Sequence, residues 1–400
     1  MISISRHLAS VVIIALSTLG ATAVRADDDG FDGQRNAYVV TPLVSDLPGA
    51  KVTDPNLKNA WGVAFTPAAS PFWIADNANG LSTLYDGAGA IQSLVVTIPC
   101  PPPATVGQGS SCPPSPPPTN AAPTGMVWNP TTNVATAFLV PGTSPPLAAS
   151  FIWATEDGTI SAWTGGLTPP DNAVLAINNS NVPNAANGAV YKGLVVGVNV
   201  NGVFLFATNF RAGTVEVYAP ANSTSNGQYV QTTTDGGFTD PDIPAGFAPF
   251  GIQNINGNLF VTYAKQNAQM HDDVAGRGNG FVDVFDTDGH LLRRFASRGT
   301  LNSPWGVARA SFAFGRFSGD ILVGDFGDGR INVFDSDGNF LGQLRDTNGK
   351  PIAIDGLWTL TLGGGKNSSS DTLYFTAGPN GETDGLFGTI TPVSQKDDDD

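Results

Sequence analysis

The sequence predicts an all-β chain built as a six-bladed β-propeller, with four antiparallel strands in each blade. Three observations lead there. Charged residues make up only 13% of the 400, while glycine (48) and proline (30) are abundant, a composition that supplies turns and leaves little to coat exposed helices. Beyond the first two dozen positions, no long stretch repeats apolar residues at helical spacing. One pattern of short strands, led by a glycine among apolar residues, returns six times, and periodicity of this kind decides architecture. Apolar residues are 41% of the chain, enough for a large core.

Residues 303–344 show the pattern in its barest form. Segments 305–308, 321–325, 330–335 and 340–344 read as strands, and Asp335-Ser336-Asp337-Gly338 supplies the positive-φ residue of a tight hairpin. A unit with two apolar faces cannot bury both alone, so it requires neighbours of its own kind. In chain order these begin with 59–64, 72–76 and 82–86. The second unit comprises 123–127, 151–155 and 159–163, and the third 191–195, 204–208 and 214–218. The fourth comprises 249–252, 259–263 and 281–285, and the sixth 355–358, 373–376 and 386–390. The lead glycines are Gly62, Gly125, Gly193, Gly251, Gly306 and Gly356, spaced by 63, 68, 58, 55 and 50 residues. The longer steps hold insertions at 100–120, 141–149 and 266–278. Glycine suits an innermost strand, where blades crowd the axis. Trp61, Trp305 and Trp358 beside these glycines read as packing between blades rather than as a ligand cage.

Five units end in a plausible outer strand, at 91–98, 173–177, 229–233, 291–295 and 340–344; the sixth runs out near Val393. Segment 36–44 precedes the first unit and belongs to none. It is expected to complete the last blade and close the ring, which removes an open edge.

The ends read differently. Residues 1–26 have the form of a secretory signal: Arg6 and His7, an apolar stretch at 8–19, then small residues around two cleavage patterns. An acidic flexible segment (27–35) and an acidic disordered tail (394–400) flank the propeller at 36–393. Cys100 and Cys112, the two cysteines, are expected to form a disulfide in an oxidising compartment. The mature chain is thus expected to be exported, periplasmic or secreted, monomeric and without an integral membrane segment. Of the formal charge of −15, residues 1–30 contribute −1 and 396–400 contribute −3, leaving about −11 on the body, a field that repels nucleic acid.

In a propeller of this strand order, turns between second and third strands share one face with the starts of first strands. A site there is a ring of residues: Asp76, Asn77, Asn79, Glu156, Asp157, Asn209, Arg211, Lys265 and the loop after it, Asp325, Asp328, Arg330, Asn380 and Glu382, with Lys192 and Asp355 arriving from first strands; Asp, Asn and Gly at these places also read as plain turn formers. The least generic loop is 266–280, QNAQMHDDVAGRGNG. His271, Asp272 and Asp273 can bind a metal or act as base and orienter; with Lys265 and Arg211 they form the candidate ligand-binding set. His290 is the other histidine of the mature chain, which excludes a site needing three. A divalent cation such as calcium, held by carboxylates and carbonyls, stays open. So does a plain polar excursion ordered by its own hydrogen bonds. The Asp-x-Asp-Gly segments at 286–289 and 335–338 lack the downstream Glu of a calcium loop and read as turns. G-x-S-x-G, H-E-x-x-H, P-loop and G-x-G-x-x-G signatures are absent.

The lead motifs, together with GFVDVFDTDG and GRINVFDSDG, make the chain resemble NHL-type propellers. Its NAYVVTPLVSD, LKNAWGVAF, YAKQNAQMHDDVAGRGNGFVDVFDTDGHLL and NSPWGVA segments look like an uncharacterised family of exported bacterial propellers, over 36–393. The resemblance implies a six-bladed propeller and export, and no established reaction. The expected function is binding of a protein, glycan or small molecule by loops around the channel. The alternative is a metal-dependent hydrolase or lyase resembling lactonase propellers. Asp76, Asn209, Asp325 and Asp355 would then hold a divalent ion that polarises a carbonyl.

Overall fold

The alternating apolar runs form strands, and the strands assemble into six antiparallel sheets around one axis. The computed structural model describes residues 35–393 apart from 68–69, 103–111, 113–120 and 221–228. The chain divides into 1–34 and a unit from Arg35 onward; the expected signal segment, nearly all of 27–35 and the 394–400 tail lie outside the described residues. Among those described, no helix is long and apolar enough to cross a membrane.

From axis to rim, blade one runs Ala60–Ala64, Phe72–Asp76, Leu81–Tyr85, Val96–Thr97. Blade two runs Pro123–Trp128, Phe151–Thr155, Thr159–Trp163, Val174–Asn178, and blade three Tyr191–Asn199, Gly202–Asn209, Thr214–Ala219, Val230–Thr232. Blade four runs Phe247–Ile255, Asn258–Lys265, Gly280–Phe285, Leu291–Ser297, and blade five Pro304–Arg309, Ile321–Asp325, Ile331–Phe334, Phe340–Gln343. Blade six runs Leu357–Leu362, Leu373–Ala377, Leu386–Pro392 and then Tyr38–Ser45, the N-terminal strand. That last pairing is antiparallel, from Tyr38↔Pro392 to Ser45↔Leu386, with an irregularity after Pro42, where a residue without an N–H is tolerated. Tyr38 then stacks on Phe314 at 4.9 Å and donates its hydroxyl to the Phe314 carbonyl at 3.0 Å. The closure expected from the sequence is present, and Val52–Thr53 adds a short parallel strand outside it.

The core follows from two-faced sheets. Buried apolar side chains fall into one cluster between each pair of neighbouring blades, and a seventh on the axis. A Cβ on Gly62 would press into the Thr124 carbonyl oxygen of the next blade, and one on Gly251 into that of Trp305; glycine there sets how closely blades approach. The sixth unit departs from expectation. Gly356, at φ +65°, belongs to the turn before the strand, and Thr359 occupies the lead position, donating its hydroxyl to the Trp61 carbonyl at 2.8 Å. The pair Cys100–Cys112 is disulfide-bonded, with Cα atoms 5.9 Å apart.

Candidate ligand site at one mouth of the channel

Two local rules aim side chains at the axis. Each innermost strand breaks its ladder at the same place: pairing jumps from Ala60 to Val63, Pro123 to Met126, Tyr191 to Gly193, Pro249 to Ile252, Pro304 to Val307 and Leu357 to Leu360. Such a bulge re-aims the skipped residue, here Trp61, Thr124, Lys192, Phe250, Trp305 and Trp358. The second rule is the two-residue period of the second strands. Their last ladder residues turn onto their own blade, and the residues one position later, including Asn77, Glu156, Phe210 and Phe326, reach the axis.

The aromatic members form a plug. Trp61 stacks on Trp358 at 3.5 Å and 13°, Phe326 stacks on Trp358 at 3.9 Å, and Trp305 meets both indoles edge-on at 6.4 and 6.0 Å. The Trp358 indole donates to Asn59 Oδ1 at 2.9 Å and that of Trp305 to the Lys192 carbonyl at 3.0 Å. The Trp61 N–H, on a side chain 1% exposed, has no partner within the described residues.

The single charge in the first ring is Lys192, 2% exposed, its ammonium 5.3 Å from the Trp61 ring centre. It pairs with Glu156 and lies 3.5 Å from Asp272 Oδ1. Glu156 accepts from Asn77 at 2.9 Å, Asn77 accepts from Asn59 at 3.0 Å, and Asn59 also donates to Glu382 at 2.9 Å. Burial works against each charge. It pushes the Glu156 carboxyl up, yet Lys192, His271 and Asn77 outweigh it and leave the group below its ordinary range. Burial likewise lowers the Lys192 ammonium, and Glu156 and Asp272 more than restore it, so a buried lysine stays charged. Glu382 has no such partner: burial, with Glu156 beside it, raises its pKa to about 7.

Loop 266–280 brings Asp272 and His271 to this network. It is ordered by its own hydrogen bonds, as the plain reading of the sequence expects: Asn267 N–H to the Asp272 carbonyl at 2.8 Å, and His271 N–H to Asn267 Oδ1 at 3.1 Å. Gln266 anchors it by donating to the Phe210 carbonyl at 2.6 Å. His271 Nδ1 lies 2.7 Å from Asp272 Oδ1, a contact that with Lys192 holds the Asp272 carboxyl far below its ordinary value. His271 Nε2 is buried without a partner among the described residues.

Of the candidate binding set, His271, Asp272 and Asp273 gather here; Asp273 meets Ser303 and feels Lys192, and burial raises its pKa. Arg211 is near enough to sense Asp272 and donates to the Gly188 carbonyl at 2.9 Å. Lys265 is exposed, and its carbonyl anchors Val274 N–H at 2.7 Å. The four candidate metal ligands are not brought together. Asp76 accepts from Thr83 N–H at 2.8 Å, Asn209 donates to Glu216 at 2.7 Å, and Asp325 accepts from Asn332 at 2.6 Å, each within its own blade. Asp355 accepts from the Asn380 N–H at 2.8 Å. Among the described residues, the His/Cys/Asp/Glu group close enough to share an ion is Glu156, His271 and Asp272, with ligand atoms within 4.8 Å of one another. Glu156, Lys192, Asn77 and Glu382 lie on the ring expected from the sequence, and Trp61, Trp305 and Trp358 pack between blades as expected; Asn59 and Phe326 were not anticipated at the axis.

No family model matches the chain. The mimivirus (Acanthamoeba polyphaga mimivirus) protein "Uncharacterized protein R648" is 30% identical over 382 residues, 94% of this chain and 86% of that one. "Uncharacterized protein L690" of the same virus is 29% identical, over 84% of this chain and 81% of that one. Among solved structures, the Xanthomonas campestris gluconolactonase XC5397 is 13% identical with a TM-score of 0.45, covering 84% of this chain and 86% of that one; nothing about activity transfers at that level of likeness. The chain belongs to the family of the mimivirus protein R648.

Proposed function

We propose that this protein is a binding propeller whose Lys192 mouth takes a small molecule bearing a cationic amine. The observation behind the reading is the charge balance of that mouth. Four carboxyl groups, Glu156, Asp272, Asp273 and Glu382, surround one buried ammonium, so a second cation adds attraction at low dielectric cost. Burial raises the pKa values of two of the four, Asp273 and Glu382, and the pull of Lys192 on each does not offset it. The plug of Trp61, Trp305 and Trp358 provides both an apolar floor and an optical reporter.

The test titrates the full chain with putrescine, spermidine, choline and arginine, following melting temperature and tryptophan emission. At least one amine is expected to raise the melting temperature and change the emission. No response to any of them at about 10 mM, a concentration that would detect millimolar binding, overturns the reading.

A metal-dependent hydrolase or lyase is the second reading, favoured by the Glu156, His271 and Asp272 group. Weighing against it, the Lys192 ammonium stands among these same ligand atoms and already supplies the positive charge that a metal would bring. Calcium, magnesium, manganese and zinc, each with and without chelator, decide: a chelator-reversible rise in melting temperature moves the site to the metal reading. Export belongs to the proposal as well, resting on the 1–26 leader pattern and the Cys100–Cys112 bond. N-terminal sequencing that finds residues 1–26 retained on the protein overturns it.

A further inference from the structure

We infer a second binding site, for a neutral saccharide, at the opposite mouth of the propeller. The innermost strands run from the Lys192 mouth toward the other face, and there the ends of three of them, in blades four, five and six, line an open cavity of about 520 Å³. This cavity lies away from the charged network. Its size suits one or two sugar rings better than a macromolecule.

The wall carries an aromatic side chain held open. Phe312 is 83% exposed, the most exposed aromatic residue of those described. It is not a stray loop side chain. The Arg309 guanidinium lies 5.5 Å from its ring centre and donates through Nε to the Gly319 carbonyl at 3.1 Å. Gly319, at φ +81°, lies directly against the ring, where a Cβ would come within 3.2 Å. Arginine on one side and glycine on the other thus position a phenyl face that the fold could have buried and did not. An ordered aromatic face at a cavity rim is the surface on which the C–H face of a sugar packs.

The polar groups choose among ligands. Gln253, Arg309, Ser311 and Asp371 line the cavity. One guanidinium and one carboxylate offset each other, so the cavity selects for neither a cation nor an anion. Among the described residues, the Gln253 amide and the Asp371 carboxylate have no hydrogen-bond partner. They are ready to pair with hydroxyls, which act as donors and acceptors at once. Val307, Leu360 and Leu362 supply apolar wall between them.

The inference does not depend on the amine site, and its test separates the two. Calorimetric titration of the full chain uses glucose, galactose, mannose, N-acetylglucosamine, maltose, cellobiose and lactose. At least one sugar is expected to bind. Phe312→Ala, an exposed substitution that leaves the core intact, should weaken it about tenfold or more, the loss of one buried aromatic contact. Phe312→Trp should retain it, and Asp371→Asn should weaken it severalfold. No tryptophan lines this cavity, so in the wild-type chain emission should stay constant while heat is released. The inference fails if no sugar of the panel binds at about 10 mM, if Phe312→Ala binds as the wild type does, or if binding changes tryptophan emission, which would place the sugar at the Lys192 mouth.

Discussion

Asp76 and Asn77, adjacent in blade one, have opposite fates. Asp76 closes the second strand and is wholly buried against Thr83 of its own blade. Asn77, one residue on, reaches the axis and donates to Glu156 of blade two. The contrast repeats as Thr155 and Glu156, Asn209 and Phe210, Asp325 and Phe326. In each pair the first member bonds within its hairpin and the second faces the channel. A strand turns alternate side chains to opposite faces, so one residue separates a side chain tied to its own hairpin from one that faces the channel. Position on the channel face of the fold does not identify a site residue; parity along the second strand does.

Lys192 tests the functional side of that contrast, and its loss carries the largest expected effect. Lys192→Met leaves the largely buried Glu156 without its cation, while the exposed Asp272 keeps His271 beside it; breaking a buried pair from one side costs about 3–5 kcal/mol. Denaturant unfolding measures it. Adding Glu156→Gln should recover part of the loss, because the stranded charge is removed. A cost of about 1 kcal/mol or less, the value of an exposed pair, would mean that the mouth is a solvated rim and that its carboxylates respond to water rather than to Lys192.

How much of this could be read beforehand divides along the same line. The blades were legible because each carries its own apolar alternation and hairpin turn, and ring closure was legible because Tyr38–Ser45 had no other sheet to join. The sixth lead position was not: Gly356 lay at a plausible distance, but the bulge places Thr359 there, a residue that packs by donating to the Trp61 carbonyl. Asp76, Asn209 and Asp325 looked like a converging set because each ends a second strand; their side-chain direction depends on where the ladder starts counting, which composition does not record. His271 and Asp272 stood out as chemistry, whereas Lys192, which Asp272 meets, sits 80 residues upstream of it in another blade. Only assembly of the ring brings the two together.

The pH dependence sharpens the contrast with a smaller effect. Burial, with Glu156 and Asp272 nearby, moves Glu382 from 4.5 to about 7 against the opposing pull of Lys192 and Asn59. Burial also moves Asp283, facing Asp240 and Arg294, from 3.8 to about 7. Between those limits the folded chain binds more protons than the unfolded one, so stability falls as pH rises from about 4.5 to about 7 and levels off above. Asp272 acts with opposite sign: its contribution is present above the ordinary aspartate range and is lost only in stronger acid. Melting curves from pH 4 to 8 should decline, and Glu382→Gln should flatten part of that decline while leaving the Asp283 part. An unchanged slope in Glu382→Gln would remove Glu382 from the buried network.

The smallest effect is expected on the structural side. Burial raises the carboxyls of Asp76 and Asp325 well above the ordinary range, with no cation paired to either among the described residues. A protonated carboxyl and an amide have nearly the same shape: the amide oxygen can accept from Thr83 N–H or from Asn332, and at position 76 the amide NH2 can donate to the Thr83 hydroxyl, which then acts as acceptor. Asp76→Asn and Asp325→Asn should therefore each change stability at neutral pH by no more than about 1 kcal/mol, the net worth of one hydrogen bond. The corresponding alanine variants strand buried donors and should cost more, about 1–3 kcal/mol. A large loss from the asparagine variants would show that these carboxylates are charged in the folded protein and bound to a cation, returning Asp76 and Asp325 to the set of metal ligands from which their hairpin bonding removes them.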